Sequence, residues 1–80
     1  MKNKIENRII EIIVEMIELK KEDLNINANL NDEYDMDSAE KAELARILEQ
    51  EFKVEIERST RNTWNTTKDI VKFVINNIKN

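Results

Sequence analysis

One stretch of the sequence decides how the chain folds: residues 35–40, Asp-Met-Asp-Ser-Ala-Glu, lie where a polar segment turns into a helical run. Apolar residues recur at helical spacing after it, which predicts a helix over about residues 38–52. Asp37 and Glu40 have the spacing of a capping box, a side-chain arrangement worth about 1 kcal/mol of helix stability. Capping does not account for Ser38. Its hydroxyl, exposed in the first turn between carboxylates, needs another explanation.

The rest of the chain is also predicted to be helical. Isoleucines recur at spacings of three and four near the N-terminus, which predicts a first helix over about residues 4–18. A second capping box at 66–69 opens a last helix, and a short third helix is expected over about 59–62. The polar connection over about 20–36 is long enough to be functional. We therefore predict an all-α, four-helix bundle with a short third helix and a long loop between helices one and two, as one domain over residues 1–80.

The 80 residues include no glycine and no proline, although the chain must turn several times. Asparagine tolerates left-handed backbone better than most residues. We expect five asparagines to do this turn work: Asn25, Asn27, Asn29, Asn31 and Asn65.

Composition excludes several classes of function. The chain has no cysteine and no histidine, which removes disulfides, thiolate chemistry, and the commonest metal ligand and general base. We predict no catalytic residue and no metal site. Because nothing in the sequence obviously activates a serine nucleophile, Ser38 is interpreted as the substrate of another enzyme.

The charge is unevenly distributed. Residues 32–57 hold ten acidic side chains against three basic ones, so this part carries −7 while the whole chain carries −4. Such a surface attracts basic partners and repels phosphate backbones, which argues against nucleic acid. Glu6, Glu11 and Glu15 interrupt the apolar N-terminal stretch, so we expect no membrane insertion and a cytoplasmic location. We also expect a monomer.

Three segments resemble the acyl carrier protein family. They are the triplet Asp37-Ser38-Ala39, the preceding residues 28–34 (Ala-Asn-Leu-Asn-Asp-Glu-Tyr), and the following residues 49–56 (Glu-Gln-Glu-Phe-Lys-Val-Glu-Ile). Members of the family carry Asp-Ser-Leu at the start of their second helix. The resemblance extends over nearly the whole chain without a gap.

This resemblance implies a carrier with no enzymatic activity of its own. A phosphopantetheinyl transferase would attach 4′-phosphopantetheine covalently to Ser38, with Asp37 helping to organise the reaction. Acyl- or aminoacyl-loading and transferring enzymes would then use the arm in fatty acid, polyketide or specialised biosynthesis. The residues implied in partner recognition are Asp35, Ala39, Glu40, Glu43, Arg46 and Glu49. Those implied in the cleft or core are Leu44, Leu48, Phe52, Ile56, Trp64 and Ile70.

Some residues depart from the family pattern. Ala39 and Arg46 stand where the family usually has leucine and methionine, and Asp35 stands where it usually has glycine. Loss of two apolar anchors favours a specialised carrier, and Lys41 with Arg46 favours a partner whose surface is less uniformly basic. The alternative is that the changes at 39 and 46 are neutral.

Trp64 indicates which kind of group, or cargo, the arm would carry. The motif Trp64-Asn65-Thr66 resembles D-alanyl carriers and the peptidyl carriers of nonribosomal synthesis, although a large core residue also explains Trp64. Together with Ile70 it predicts a shallow cleft and a short, polar or aminoacyl cargo. Two alternatives to an acyl carrier stay open: a D-alanyl, aminoacyl or peptidyl carrier, and a carrier-like helical interaction module without an arm.

Overall fold

The chain folds into a helical bundle in a computed structural model that describes residues 2–78; residues 1, 79 and 80 of the predicted domain lie outside it. Five α-helices and one 3₁₀ turn follow each other, with no strand within residues 2–78. Their bounds are α1 (Lys2–Ile17), the 3₁₀ turn (Lys21–Asp23), α2 (Leu30–Tyr34), α3 (Ser38–Phe52), α4 (Arg58–Arg61) and α5 (Thr67–Asn77). The predicted all-α class is confirmed.

The connection between α1 and α3 is more ordered than the sequence suggested. It contains α2, which was not predicted because five residues are too short for a periodic apolar pattern. Asn29 begins α2, since its side-chain oxygen accepts hydrogen bonds from the amides of Asn31 at 2.9 Å and Asp32 at 3.0 Å. The four predicted helices are present as α1, α3, α4 and α5, with bounds shifted by at most two residues.

Both capping boxes form. Asp37 Oδ1 accepts from the Glu40 amide at 2.9 Å, and Glu40 Oε1 accepts from the Asp37 amide at 3.2 Å. Thr66 Oγ1 accepts from the Asp69 amide at 3.1 Å, and Asp69 Oδ2 accepts from the Thr66 amide at 3.1 Å. These reciprocal bonds satisfy amides that the first turn of a helix leaves without partners, and so fix where α3 and α5 begin.

The predicted role of asparagine in left-handed turns is wrong for residues 2–78. Positive φ occurs there at Glu18 (56°), Asp35 (56°) and Lys53 (58°), which directly follow α1, α2 and α3. The asparagines act through their side chains instead: Asn29 caps α2, and Asn25 Oδ1 accepts from the amide two residues on at 3.0 Å. A short side-chain amide reaches nearby backbone donors without any change of backbone region.

One hydrophobic core joins the helices and the connection. Its fully buried side chains are Ile9, Ile13, Leu30, Met36, Leu44, Leu48, Ile70 and Val74, with Trp64 1 % exposed. Trp64 meets Phe73 of α5 edge to face, with ring centroids 6.0 Å apart. Core residues from the connection thus pack beside those of α1, α3 and α5, which holds the start of α3 against the bundle.

Thr67 places a polar hydroxyl in this core. It is fully buried, and its hydroxyl has no hydrogen-bond partner among the described residues. Valine has nearly the same shape, so Thr67→Val is expected to stabilise the domain by about 1 to 3 kcal/mol by removing a desolvated hydroxyl. Thermal melts would show a midpoint higher by about 4 to 8 °C per kcal/mol.

The neighbouring threonine is the control. Thr66 caps α5, and loss of this cap costs about 1 kcal/mol of folding stability, so Thr66→Val is expected to lower the melting midpoint. A lower midpoint for Thr67→Val would contradict the prediction and would mean that the hydroxyl has a buried partner such as water.

Candidate functional site

Ser38 is the first residue of α3 and is exposed. Asp37 before it is extended, with φ −88° and ψ −177°, as expected of an N-cap residue. The cap uses the side chains of Asp37 and Glu40, and the Ser38 hydroxyl takes no part in it. A group could therefore be attached to this hydroxyl without loss of the bonds that start the helix.

The backbone leading to Ser38 is anchored in the core. Met36 is fully buried, and its amide donates to the Leu30 carbonyl at 3.1 Å. The Leu30 amide donates in turn to the Asn65 carbonyl at 2.7 Å, and Asn29 and Thr66 form an isolated antiparallel bridge. The start of α3 is thereby tied to the segment that precedes α5, so the Ser38 hydroxyl lies on a fixed support.

Lys41 has a role that sequence analysis missed. Its side chain is half-buried, and Nζ donates to the Trp64 carbonyl oxygen at 2.9 Å. The only sequence signal was its position three residues after Ser38, which places both on one side of α3. Its partner lies 23 residues further along the chain, so the bond could not be read from local sequence.

The six residues predicted for partner recognition differ in solvent exposure and in the hydrogen bonds that their side chains make. Asp35, Ala39, Glu43 and Arg46 are exposed, and Arg46 Nη2 lies 4.0 Å from Glu43 Oε1. The other two, Glu40 and Glu49, are half-buried and accept from backbone amides: Glu40 from Asp37, and Glu49 from Ile56 at 2.9 Å.

The C-terminal end of α3 is bound by a side chain of α1. Glu51 accepts two hydrogen bonds from Arg8 of α1, at 3.1 and 3.2 Å. The hydrogen bonds and charge of Glu51 raise the pKa of the Arg8 guanidinium above its ordinary value. The face that a partner could read is thus less acidic than the bare count of carboxylates suggests.

The interior next to α5 is filled. Among the residues predicted for the cleft or core, Leu44, Leu48, Trp64 and Ile70 are at most 1 % exposed. Ile56 is 7 % exposed, and Phe52 packs half-buried against the same cluster. A surface pocket does exist, but it lies at the opposite end of α3 from Ser38 and has mostly polar walls, formed by Glu49, Lys53, Val54, Glu55 and Asn77.

Within residues 2–78, no group of three or more acidic, histidine or cysteine side chains could hold a metal ion. None of the helices there is both long enough and apolar enough to cross a membrane.

Comparison with known proteins identifies the family. Residues 7–74 match the family model described as "Phosphopantetheine attachment site". An acyl carrier protein of Buchnera aphidicola subsp. Acyrthosiphon pisum, strain 5A, is 38 % identical over 76 residues, covering 95 % of this chain and 94 % of that protein. Acyl carrier proteins of strains Tuc7 and APS are each 36 % identical over 74 residues, covering 92 % of this chain and 91 % of theirs.

The chain belongs to the phosphopantetheine attachment-site family, and its relatives are acyl carrier proteins. It is accordingly a carrier and not an enzyme, and the group that it takes is covalently bound 4′-phosphopantetheine. An exposed serine hydroxyl that its helix cap does not need fits a covalently attached phosphate.

Asp35 is the residue of this site whose backbone is strained. It ends α2 in the left-handed region, φ 56° and ψ 31°, where a side chain costs energy that glycine avoids. Asp35→Gly is therefore expected to stabilise the domain by roughly 1 kcal/mol, with arm attachment intact. Thermal melts at low and moderate salt would measure this gain.

Asp35→Asn separates strain from charge. It keeps a side chain that tolerates the left-handed region but removes the charge near Asp37. If strain dominates, the glycine variant melts higher than the asparagine variant at both salt concentrations. A glycine variant that melts below the wild type at both concentrations would contradict the prediction.

Proposed function

We propose that this protein is an acyl carrier whose 4′-phosphopantetheine arm is attached to Ser38. The observation that carries the proposal is the exposed Ser38 hydroxyl at the start of α3, left out of the cap by Asp37 and Glu40. When bound, the arm supplies a terminal thiol that holds an acyl group as a thioester. The protein itself supplies the hydroxyl, a rigid support for it and a surface that partner enzymes read.

In the attachment step, Ser38 Oγ bonds to the phosphorus that joins pantetheine to the nucleotide of coenzyme A. The bond from that phosphorus to the nucleotide phosphate breaks, the nucleotide leaves, and the serine proton passes to the transferase or water. Asp37 directly precedes Ser38 in the chain and is exposed. One of its oxygens accepts from Glu40, so we propose that the carboxylate is held in place to help organise the transferase's magnesium ion.

For partner recognition we propose the exposed face of α2 and α3 around Ser38. Ala39 offers little apolar surface, and the Arg46 side chain is 70 % exposed, so this face differs in shape and charge from the family pattern. These features support a specialised pathway over general fatty acid synthesis. Its partners would be a phosphopantetheinyl transferase and acyl-handling enzymes, with no nucleic acid and no membrane insertion.

We further expect a monomeric, single carrier domain in the cytoplasm. The single core that draws on α1, the connection, α3 and α5 supports one domain. The exposed carboxylates of Glu11 and Glu15 on α1 support the expectation that this helix is not inserted in a membrane.

A D-alanyl, aminoacyl or peptidyl carrier is the second candidate. Trp64 favours it, because its buried ring fills space beside Ile70 that a long acyl chain would need. Loading of the arm by an adenylating enzyme and an amino acid would distinguish this candidate. An interaction module without an arm would stay unmodified under all conditions.

The attachment residue is tested by substitution. Incubation with coenzyme A, magnesium and a broad-specificity transferase is expected to add one phosphopantetheine to the wild type and none to Ser38→Ala, as measured by intact-protein mass. Ser59→Ala is the matched control, because Ser59 is also exposed but lies in α4, and it is expected to be modified like the wild type. Modification of Ser38→Ala would refute the assignment.

The cargo is tested by chain length. Because Trp64 and Ile70 fill the interior, long acyl chains on the wild-type arm are expected to add little to the melting temperature. Ile70→Ala opens a cavity at a cost of roughly 2 to 5 kcal/mol, part of which a bound chain can recover. Melts of acyl forms of increasing length, with thioester hydrolysis as a second readout, would measure this difference.

Ile12→Ala, in α1, controls for a general loss of packing. We expect chain length to protect Ile70→Ala more than Ile12→Ala. A wild type whose midpoint rises steadily with chain length would instead indicate an open lipid cleft, and the short-cargo proposal would be wrong.

A further inference from the structure

We propose that Lys41 binds the phosphate of the arm and joins it to the segment that precedes α5. This inference rests on the proposed attachment at Ser38. It assigns to Lys41 a positioning role: its ammonium group would orient the root of the arm. The juxtaposition that carries it is an ammonium, bonded to the Trp64 carbonyl, one helical turn from the attachment hydroxyl.

The geometry of an α-helix brings the two side chains together. Residues three apart lie on the same side of a helix, with Cβ atoms about 5 to 6 Å apart. Helical side chains also lean toward the N-terminus, so the Lys41 side chain can reach the turn that contains Ser38. A phosphate on Ser38 Oγ extends outward from the same turn and comes within reach of the flexible four-carbon stem of the lysine.

The Lys41 ammonium group has more N–H donors than its bond to the Trp64 carbonyl uses. An ammonium carries three N–H donors, and the Trp64 carbonyl accepts one of them at 2.9 Å. Among residues 4–78, the carboxylates within ion-pair distance of a basic group pair with Arg8 or Arg46, and none pairs with Lys41. The nearest carboxylates in sequence, Asp37 and Glu40, already accept from backbone amides.

The acidic residues around Lys41 are the reason why a contact between its ammonium group and the phosphate would be favourable. Lys41 is the one basic residue within residues 32–45, a stretch that also holds six acidic ones. A phosphodiester adds a further negative charge there, and a charge-assisted hydrogen bond to Lys41 offsets the repulsion. Because the ammonium also holds the Trp64 carbonyl, the bound phosphate would link α3 to the start of α5 and turn the root of the arm toward that side of the bundle.

The experiment compares arm-free and arm-bearing forms of each variant. The change in melting temperature on attachment, arm-bearing minus arm-free, is measured for the wild type, Lys41→Met and Lys41→Arg. It is expected to be more favourable in the wild type than in Lys41→Met by roughly 2 to 6 °C. Lys41→Arg retains the charge and should keep most of the wild-type change, and the difference between wild type and Lys41→Met should shrink at high salt.

Arg46→Met is the matched control, since it removes one positive charge from the same helix at a position eight residues from Ser38. It is expected to keep the wild-type change. An equal change in Lys41→Met and the wild type would overturn the contact, and so would an equal reduction in Arg46→Met, which would indicate a general charge effect.

A second measurement needs no variant. Acetylation of lysines by acetic anhydride, followed by peptide mass spectrometry, is expected to modify Lys41 several-fold more slowly in the arm-bearing than in the arm-free wild type. Exposed Lys53 is the internal control and should react equally in both. Unchanged Lys41 reactivity would overturn the contact while leaving attachment standing, whereas a wild type that takes no arm would overturn attachment and the contact together.

Discussion

Backbone hydrogen bonds join the polar connection to α5 and to the residues before it: the Lys68 amide donates to the Ile26 carbonyl at 3.1 Å, and a shorter bond lies at Leu30. The Leu30 amide donates to the Asn65 carbonyl at 2.7 Å, between the start of α2 and the residue before the cap of α5. Leu30, Met36 and Trp64 are buried around it. Burial of each large side chain contributes about 1.5 to 3 kcal/mol, but only if the backbone groups buried with it are paired. The position of Ser38 depends on this arrangement.

At the start of α3, the side chains that cap the helix are different from the side chain proposed to carry the arm. The carboxylates of Asp37 and Glu40 make the cap, and Ser38, one of the two residues between them, has a hydroxyl that the cap does not use. An anionic group on that hydroxyl would lie at the positive end of the α3 dipole, which favours negative charge. Because the cap is made by the side chains of Asp37 and Glu40, a group on the Ser38 hydroxyl would leave the beginning of the helix intact.

Residues 32–57 are strongly acidic in sequence, but several of the carboxylates on α3 have partners within the fold. Glu40, Glu49 and Glu51 are held by backbone amides or by Arg8, and Glu43 lies near Arg46. Lys41 turns inward to the Trp64 carbonyl. A partner that docked on α3 next to Ser38 would meet exposed Ala39, Glu43 and Arg46.

The sequence by itself determined four of the five α-helices between residues 2 and 78, the two capping boxes and the candidate attachment residue. Capping boxes and the apolar repeats of α1, α3 and α5 are local signals, because they depend on residues within one or two turns of each other. The family resemblance was likewise carried by contiguous motifs around Ser38.

Tertiary structure decided what local signals could not. The asparagines turned out to cap and brace the backbone, while Glu18, Asp35 and Lys53 took the left-handed positions where helices end. The bond of the Leu30 amide to Asn65, the bond of the Ile56 amide to Glu49 and the bond of Lys41 to the Trp64 carbonyl all join residues from different parts of the fold. Residues far apart in the chain carry no periodic signal of their meeting, because packing of the whole bundle sets the distance between them.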